Sequence, residues 1–469
     1  MEKRFLKMAV CLAMTTAILF SVPGCGSQPS TDSTDDTTEA DVNVASEENG
    51  GNDNGGNDNG SNVGNRHSDN DIKVSKEDAA TALTDFGVRL LQYSLEESID
   101  SFPPQASMPQ SVYEELVEEK NILLSPLSVL SALTMTAGGA EGETLRQMEE
   151  VFGMSVPALS AYLSEYQKSL PEADRYHLSM ANAIWFTEDE RFTVEQNFLE
   201  TNENLFGAGV HRVPFDQFTV KEINDWVKEN TDGMIEEILD EIAPDAVMYL
   251  VNALAFEAEW QDIYHEYQVR DGEFTRADGI VRNVKMMYSE ESRYLEGEHA
   301  EGFLKYYADG KYAYAAILPE EGMSAIEYAA FLTGEELRRM LTNSAEAIVQ
   351  AALPKYESEY GIEMSRILRE MGMPDAFDEN RADFSGIGYS TQGNIYIGRV
   401  LHKTFIAVDE KETRAGASTV VEMKDGCAAP LEALTKTVYL DRPFLYAIVD
   451  CETMTPVFLG IVEDIASGE

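Results

Sequence analysis

Asn121-Ile122-Leu123-Leu124-Ser125-Pro126-Leu127-Ser128 is the stretch on which the reading of the fold turns. Three aliphatic residues closed by a serine and a proline read as a short strand that stops abruptly. Residues 128–137 carry no charge and read as a buried helix ending at Gly138-Gly139. Working outward, residues 74–95 are predicted helical, because Ala79, Leu83, Phe86, Leu90 and Leu91 recur at helix spacing behind Ser75, a cap candidate. Helices are expected again over 144–152, 158–170, 194–205 and 220–240. Strands are expected over 248–256, 312–318, 347–353, 395–408, 444–449 and 457–462. Helices early and strands late predict an α+β fold rather than a βαβ repeat.

A chain of 469 residues can bury one large core or two medium ones. Its 84 acidic against 35 basic residues give a formal net charge of -49. That surplus argues against electrostatic binding of DNA, RNA or anionic lipid headgroups, so no nucleic-acid partner is expected. A soluble, self-repelling exported protein is the plainer reading. The cysteines, Cys11, Cys25, Cys427 and Cys451, have no metal-ligand spacing and make no disulfide framework. Neither a metal nor a cofactor is expected.

Lys3, Arg4 and Lys7 precede an apolar run over 8–20, the pattern of an export signal too short to span a bilayer comfortably. The run ends in Val22-Pro23-Gly24-Cys25, which resembles the lipobox of bacterial lipoproteins. That resemblance implies a lipoprotein signal peptide over 1–24 and a lipid on Cys25 anchoring the chain at the cell surface. Pro23 is a less usual occupant, so a simple signal peptide and a secreted product stay open. Residues 25–72, rich in Ser, Thr, Asp, Asn, Glu and Gly, cannot bury enough apolar surface to fold. As a coil of about 47 residues this segment reaches roughly 35–40 Å, a spacer holding a domain off a surface. From 73 to 469 the apolar pattern is continuous, and one domain is expected.

The quoted opening, followed by Ala132-Leu133, Met135, Gly139, Gly142 and Thr144, resembles the strand-then-helix opening of the serpin family. Further stretches occur in serpin order: Ala181-Asn182-Ala183-Ile184-Trp185; Ile223-Asn224-Asp225-Trp226-Val227 with Thr231, Gly233 and Ile235; and Leu250-Val251-Asn252-Ala253 through Phe256 and Trp260. Leu353-Pro354-Lys355, Ala382-Asp383-Phe384-Ser385-Gly386, His402-Lys403 and Arg442-Pro443-Phe444 complete the set. The resemblance implies a serpin fold: helices around a large central sheet, two smaller sheets and an exposed reactive-centre loop. It also implies a monomer that inhibits proteases and is not an enzyme.

Residues 413–424 read Thr-Arg-Ala-Gly-Ala-Ser-Thr-Val-Val-Glu-Met-Lys. Thr413, Ala415, Ala417, Thr419, Val421 and Met423 share one strand parity, small or apolar; the other is mostly polar. By itself the pattern suits an ordinary half-buried strand. The resemblance implies instead a loop that a protease cuts and that then enters the main sheet. About twelve inserted residues at roughly 3.3 Å each carry the cut end some 40 Å, dragging and distorting the esterified protease. The uninserted fold would be metastable. The hinge of inhibitory serpins resembles Val408 to Thr419, including Glu410, Glu412, Thr413, Ala415, Gly416, Ala417 and Ser418. Glu412 stands where glycine is usual, stiffening the bend, and Arg414 where glutamate is usual.

The family's count along the loop places the cut between Gly426 and Cys427, with Lys424 and Asp425 the alternative. Gly426 implies an elastase- or subtilisin-like serine protease as partner, Lys424 a trypsin-like one. By resemblance, Ser125, Ser128, Asn252 and His402 form a hydrogen-bonded cluster, the shutter, where the central strands part. Trp260, Lys355 and Glu410 form the breach, where the loop enters. HExxH, P-loop, GxSxG and paired CxxC motifs are all missing from the sequence. Two functions follow: a suicide-substrate inhibitor, or a non-inhibitory serpin acting as a surface ligand or mere protease substrate.

Overall fold

In chain order the elements of the computed structural model are β1 (Val10–Ser21), α1 (Lys76–Asp100), β2 (Ile122–Leu124), α2 (Pro126–Ala137), α3 (Gly142–Phe152), α4 (Val156–Lys168), β3 (Glu172–Ala173), β4 (Tyr176–Thr187), β5 (Phe192–Val194), α5 (Gln196–Phe206), β6 (Gly209–Val213), α6 (Gln217–Asn230) and β7 (Ala246–Ala258). There follow β8 (Val269–Thr275), β9 (Val281–Gly297), β10 (Ala300–Tyr306), β11 (Tyr312–Pro319), α7 (Ala325–Phe331), α8 (Gly334–Thr342), β12 (Ala345–Pro354), β13 (Tyr356–Glu363), α9 (Ser365–Met371), β14 (Gly388–Ser390), β15 (Tyr396–Val408), β16 (Thr435–Tyr439), β17 (Phe444–Asp450) and β18 (Thr455–Val462). The structure describes residues 10–21, 75–100, 121–170, 172–173, 175–410 and 434–465.

The α+β class stands, with three sheets among the described residues. The main sheet runs β13-β15-β1-β7-β4-β3, with β6 added beside β4; a second runs β16-β12-β9-β10-β11-β17-β18-β2, with β8 beside β9; β14 and β5 make a third. The second sheet therefore holds nine strands and is not small.

The Asn121 segment ties these layers together. Leu123 pairs with Gly460 of β18, and the Asn121 side-chain oxygen accepts the Glu463 N–H at 2.8 Å. The helix behind it starts two residues earlier than expected. Ser125 is its N-cap, its hydroxyl accepting from the Ser128 N–H, and Pro126 fits the first turn, where no N–H is needed. Every residue from Pro126 to Ala137 is buried. Gly139 is required by close approach, since a Cβ there would lie 2.3 Å from Ile387.

The helix expected over 220–240 ends at Asn230. Asp232 and Gly233 take positive φ, 50° and 82°, which breaks the helix despite the apolar spacing beyond. One face of α6 places Ile223 and Val227 in a core with Ala183, Trp185, Tyr249 and Val251 on the main sheet. On the other face of the main sheet the large core gathers β7, β15, α2 and the second sheet.

Part of the second sheet also departs from the expectations. Strands β8, β9 and β10 were not foreseen, since β9 alternates buried residues with Lys285, Glu290 and Arg293 and carries no unbroken apolar run. The N-terminal apolar run was read as an export signal separate from the domain. Here Val10–Ser21 falls in the same compact unit as the described residues from 75 onward. Val10–Ser21 lies between β7 and β15, antiparallel to both. An uninterrupted apolar run suits a strand with neighbours on both edges as well as it suits an export signal.

Candidate functional site

Among the described residues the sequence-expected site falls at two places along the seam between β7 and β15. These two strands run parallel to each other and do not pair; each pairs instead with the strand between them. β15 ends at Val408 and leads directly into residues 409 and 410. Of the expected hinge and cut-site residues, Glu412, Thr413, Ala415, Gly416, Ala417, Ser418, Lys424, Asp425, Gly426 and Cys427 lie outside the described residues, as does Cys25.

Midway along the seam, Ser125, Ser128, Asn252 and His402 come together, all buried. The Ser128 hydroxyl donates to Asn252 Oδ1 at 2.5 Å. The Ser125 hydroxyl donates to the Val457 carbonyl at 2.9 Å, and its N–H donates to His402 Nε2 at 3.3 Å. His402 does not meet Asn252 directly, because Thr16 of β1 sits in register between them. The sequence reading omitted Asn182 from this group. Asn252 Nδ2 donates to Asn182 Oδ1 at 2.8 Å, and Asn182 Nδ2 donates onward to the Phe206 carbonyl at 2.9 Å. A buried asparagine opposite a second one across a strand pair was the available signal.

Burial pushes the His402 pKa down to about 3. The ring is therefore neutral, with Nε2 free to accept from Ser125. Buried hydrogen bonds of this kind contribute little when made and cost much when half broken. Asn252→Ala removes the acceptor of the Ser128 hydroxyl and the donor to Asn182 Oδ1, and should lower stability by about 2–3 kcal/mol in urea unfolding at neutral pH.

At the end of the seam where β15 leaves the sheet, Trp260 meets the Asp409 carbonyl and Lys355 meets Glu410. Trp260 is buried, and its indole N–H donates to the Asp409 carbonyl at 2.9 Å. It stacks on Tyr307 with ring centroids 4.5 Å apart. Lys355 Nζ donates to Glu410 Oε2 at 2.8 Å, both side chains being about two-fifths exposed (41% and 38%). Burial works against the charged Glu410 carboxylate, yet the bond from Lys355 holds its pKa below the ordinary value. A pair this exposed contributes little, so Lys355→Ala should change stability by less than about 1 kcal/mol. Its expected effect is faster departure of the 409–410 segment, read by hydrogen exchange.

Beneath Trp260 lies a pair that sequence reasoning missed. Lys305 Nζ, buried, meets the half-buried Glu291 Oε1 at 2.9 Å, and sits over the Tyr264 ring at 4.3 Å. Burial disfavours the charged lysine, but Tyr264 and Glu291 outweigh it and raise the pKa. Nothing in the spacing of Lys305 and Glu291 marks them, because adjoining strands of the second sheet bring them together.

Cys451 is a free thiol. Burial, then the Asp450 charge, pushes its pKa up to about 12, leaving it unreactive at neutral pH. Among the described residues no cluster of His, Cys, Asp or Glu could hold a metal ion.

A family model described as Serpin (serine protease inhibitor) matches residues 105–465. Human Serpin B8 is 30% identical over 369 residues, covering 75% of this chain and 95% of that protein. An uncharacterized serpin-like protein of Thermococcus kodakarensis is 30% identical over 359 residues, covering 74% and 82%. Among solved structures, the thermophilic serpin tengpin in its native state is 40% identical with a TM-score of 0.70, covering 82% of this chain and 94% of that one. Thyroxine-binding globulin in complex with thyroxine, 21% identical with a TM-score of 0.65 over 82% and 99%, shares the fold. The ordered motifs, the two-stranded seam with its buried cluster and a family match over most of the chain lead to one conclusion: this protein belongs to the serpin family of serine protease inhibitors.

Proposed function

We propose that the chain is a suicide-substrate inhibitor of serine proteases. A target cuts the loop after Gly426, or after Lys424, and is trapped as the loop enters the seam between β7 and β15. The observation that carries this is the seam itself. β7 and β15 accept an antiparallel strand between them, and a segment folding back from the end of β15 runs in that sense. A cut loop anchored at Glu410 thus starts at the entry point, beside Trp260 and Lys355. Thr413, Ala415, Ala417 and Thr419 supply the small parity that a crowded sheet admits.

Export, action at a cell surface through a lipid on Cys25, and a monomeric state belong to the same proposal. They rest on the N-terminal pattern and on the spacer over 25–72. The second reading, a serpin that binds a ligand or is merely cut, draws on Glu412 at the bend and on the shared fold of thyroxine-binding globulin, which is named for what it binds.

The two readings separate on incubation of the exported form with trypsin, elastase and subtilisin. An SDS-resistant complex with at least one is expected, and mass spectrometry of the released peptide fixes the cut bond. Clean cleavage by all three with no complex favours the second reading.

A further inference from the structure

Val10–Ser21 occupies the place that the proposed function reserves for the cut loop. Its backbone pairs in continuous register with β15 from Cys11 opposite Ala407 to Leu19 opposite Arg399. On its other edge it pairs with β7 from Val10 opposite Ala258 to Phe20 opposite Met248. One strand cannot enter where another already lies. We propose that the N-terminal segment is an intramolecular plug: while it remains attached, the seam is filled and the protein cannot trap a protease.

The sequence of the segment suits the place. Register aligns Leu12, Met14 and Ile18 with Phe256, Leu254 and Leu250 of the main core. The alternate positions Ala13, Thr15 and Ala17 align with Ala255, Ala253 and Val251, themselves small or β-branched. The loop also carries small residues on one parity, Thr413, Ala415, Ala417 and Thr419, although its other parity is mostly polar. Both segments thus offer a run of small residues on every second position, as insertion into a tightly spaced sheet requires.

Loss of the segment on export then does two things at once. It releases the chain and it vacates the seam, so that inhibitory capacity appears only after the protein has left the compartment where it was made.

The consequence for trapping rests on the proposed inhibition; the occupancy of the seam does not, and the test reads them separately. Full-length chain is made without export machinery, alongside Thr16→Pro and Ile18→Asp in the same full-length chain. Proline at 16 removes an N–H and cannot sit in a central strand. Aspartate at 18 puts a charge in register with Leu250 and Val400. Amide hydrogen exchange of residues 11–19 should be slow in the parent chain and faster by on the order of tenfold or more in both variants. On incubation with trypsin and subtilisin, only the variants should give an SDS-resistant complex. Fast exchange of 11–19 in the parent chain, or equal trapping by all three, overturns the plug. Slow parental exchange lost in the variants, with no trapping by any form, upholds the plug and counts against inhibition instead.

Discussion

Thr413→Arg is expected to abolish the SDS-resistant complex of the exported protein while leaving the loop as readily cut as before. Thr413 shares its parity with Ala415 and Ala417, the side of the strand that must enter the sheet first. An arginine there brings a charge with no partner, and burying it costs several kcal/mol or forces the side chain to leave. Either outcome halts insertion at its first step. The acyl-enzyme then has time to hydrolyse, and the protease departs active. The number of inhibitor molecules consumed per protease inactivated should rise on the order of tenfold or more, since each 1.4 kcal/mol on the competing step is a factor of about ten. Arg414 lies on the opposite parity, so Arg414→Glu should leave trapping unchanged.

The same variant reads the stored energy. Cleavage of the parent loop should raise the melting temperature by roughly 10 °C or more, as a further central strand is added to the sheet. Cleaved Thr413→Arg should show no such rise. A parent protein whose heat resistance is unmoved by cleavage has no metastable state to draw on, and the trapping mechanism would be lost with it.

The second large effect concerns acid. His402 is buried and neutral, its pKa held down to about 3 by burial, whereas in the unfolded chain it titrates near the ordinary histidine value of about 6.5. As pH falls the unfolded chain takes up the proton first. Stability from this residue is therefore complete above about pH 6.5 and drains away towards pH 3. By pH 4.5 the loss should reach about 2–3 kcal/mol.

Protonation also removes the Nε2 acceptor from the Ser125 N–H, loosening the cluster at the middle of the seam. Neutralising the acidic surface works in the opposite direction, by relieving self-repulsion. The measurement is accordingly a difference. Urea unfolding at pH 7 and pH 4.5 is compared between the parent and His402→Gln, which cannot titrate. The variant should lose about 2–3 kcal/mol less on acidification. Equal losses would show that His402 is not the group responsible.

Much of this protein is legible in its residues. The apolar spacing in α1 and the uncharged stretch of α2 announce buried helices, and the runs in β7, β11, β17 and β18 announce strands buried along their length. Ser125, Ser128, Asn252, His402, Trp260, Lys355 and Glu410 were chosen by resemblance, and the structure gathers them at the seam. β9 was missed because its exposed face is charged and its buried face is interrupted. Asn182 and the Lys305–Glu291 pair were missed because contact between distant strands leaves no trace in local spacing.

The chain by itself determined the helix and strand periods, the parity of the loop and the polar spacer, since each depends on neighbours a few positions apart. Only the tertiary structure decided what fills the space between β7 and β15. An apolar run such as Val10–Ser21 is compatible with an export signal, a helix or a central strand. Choosing among these depends on the strand edges of β7 and β15, contributed by residues more than two hundred positions away.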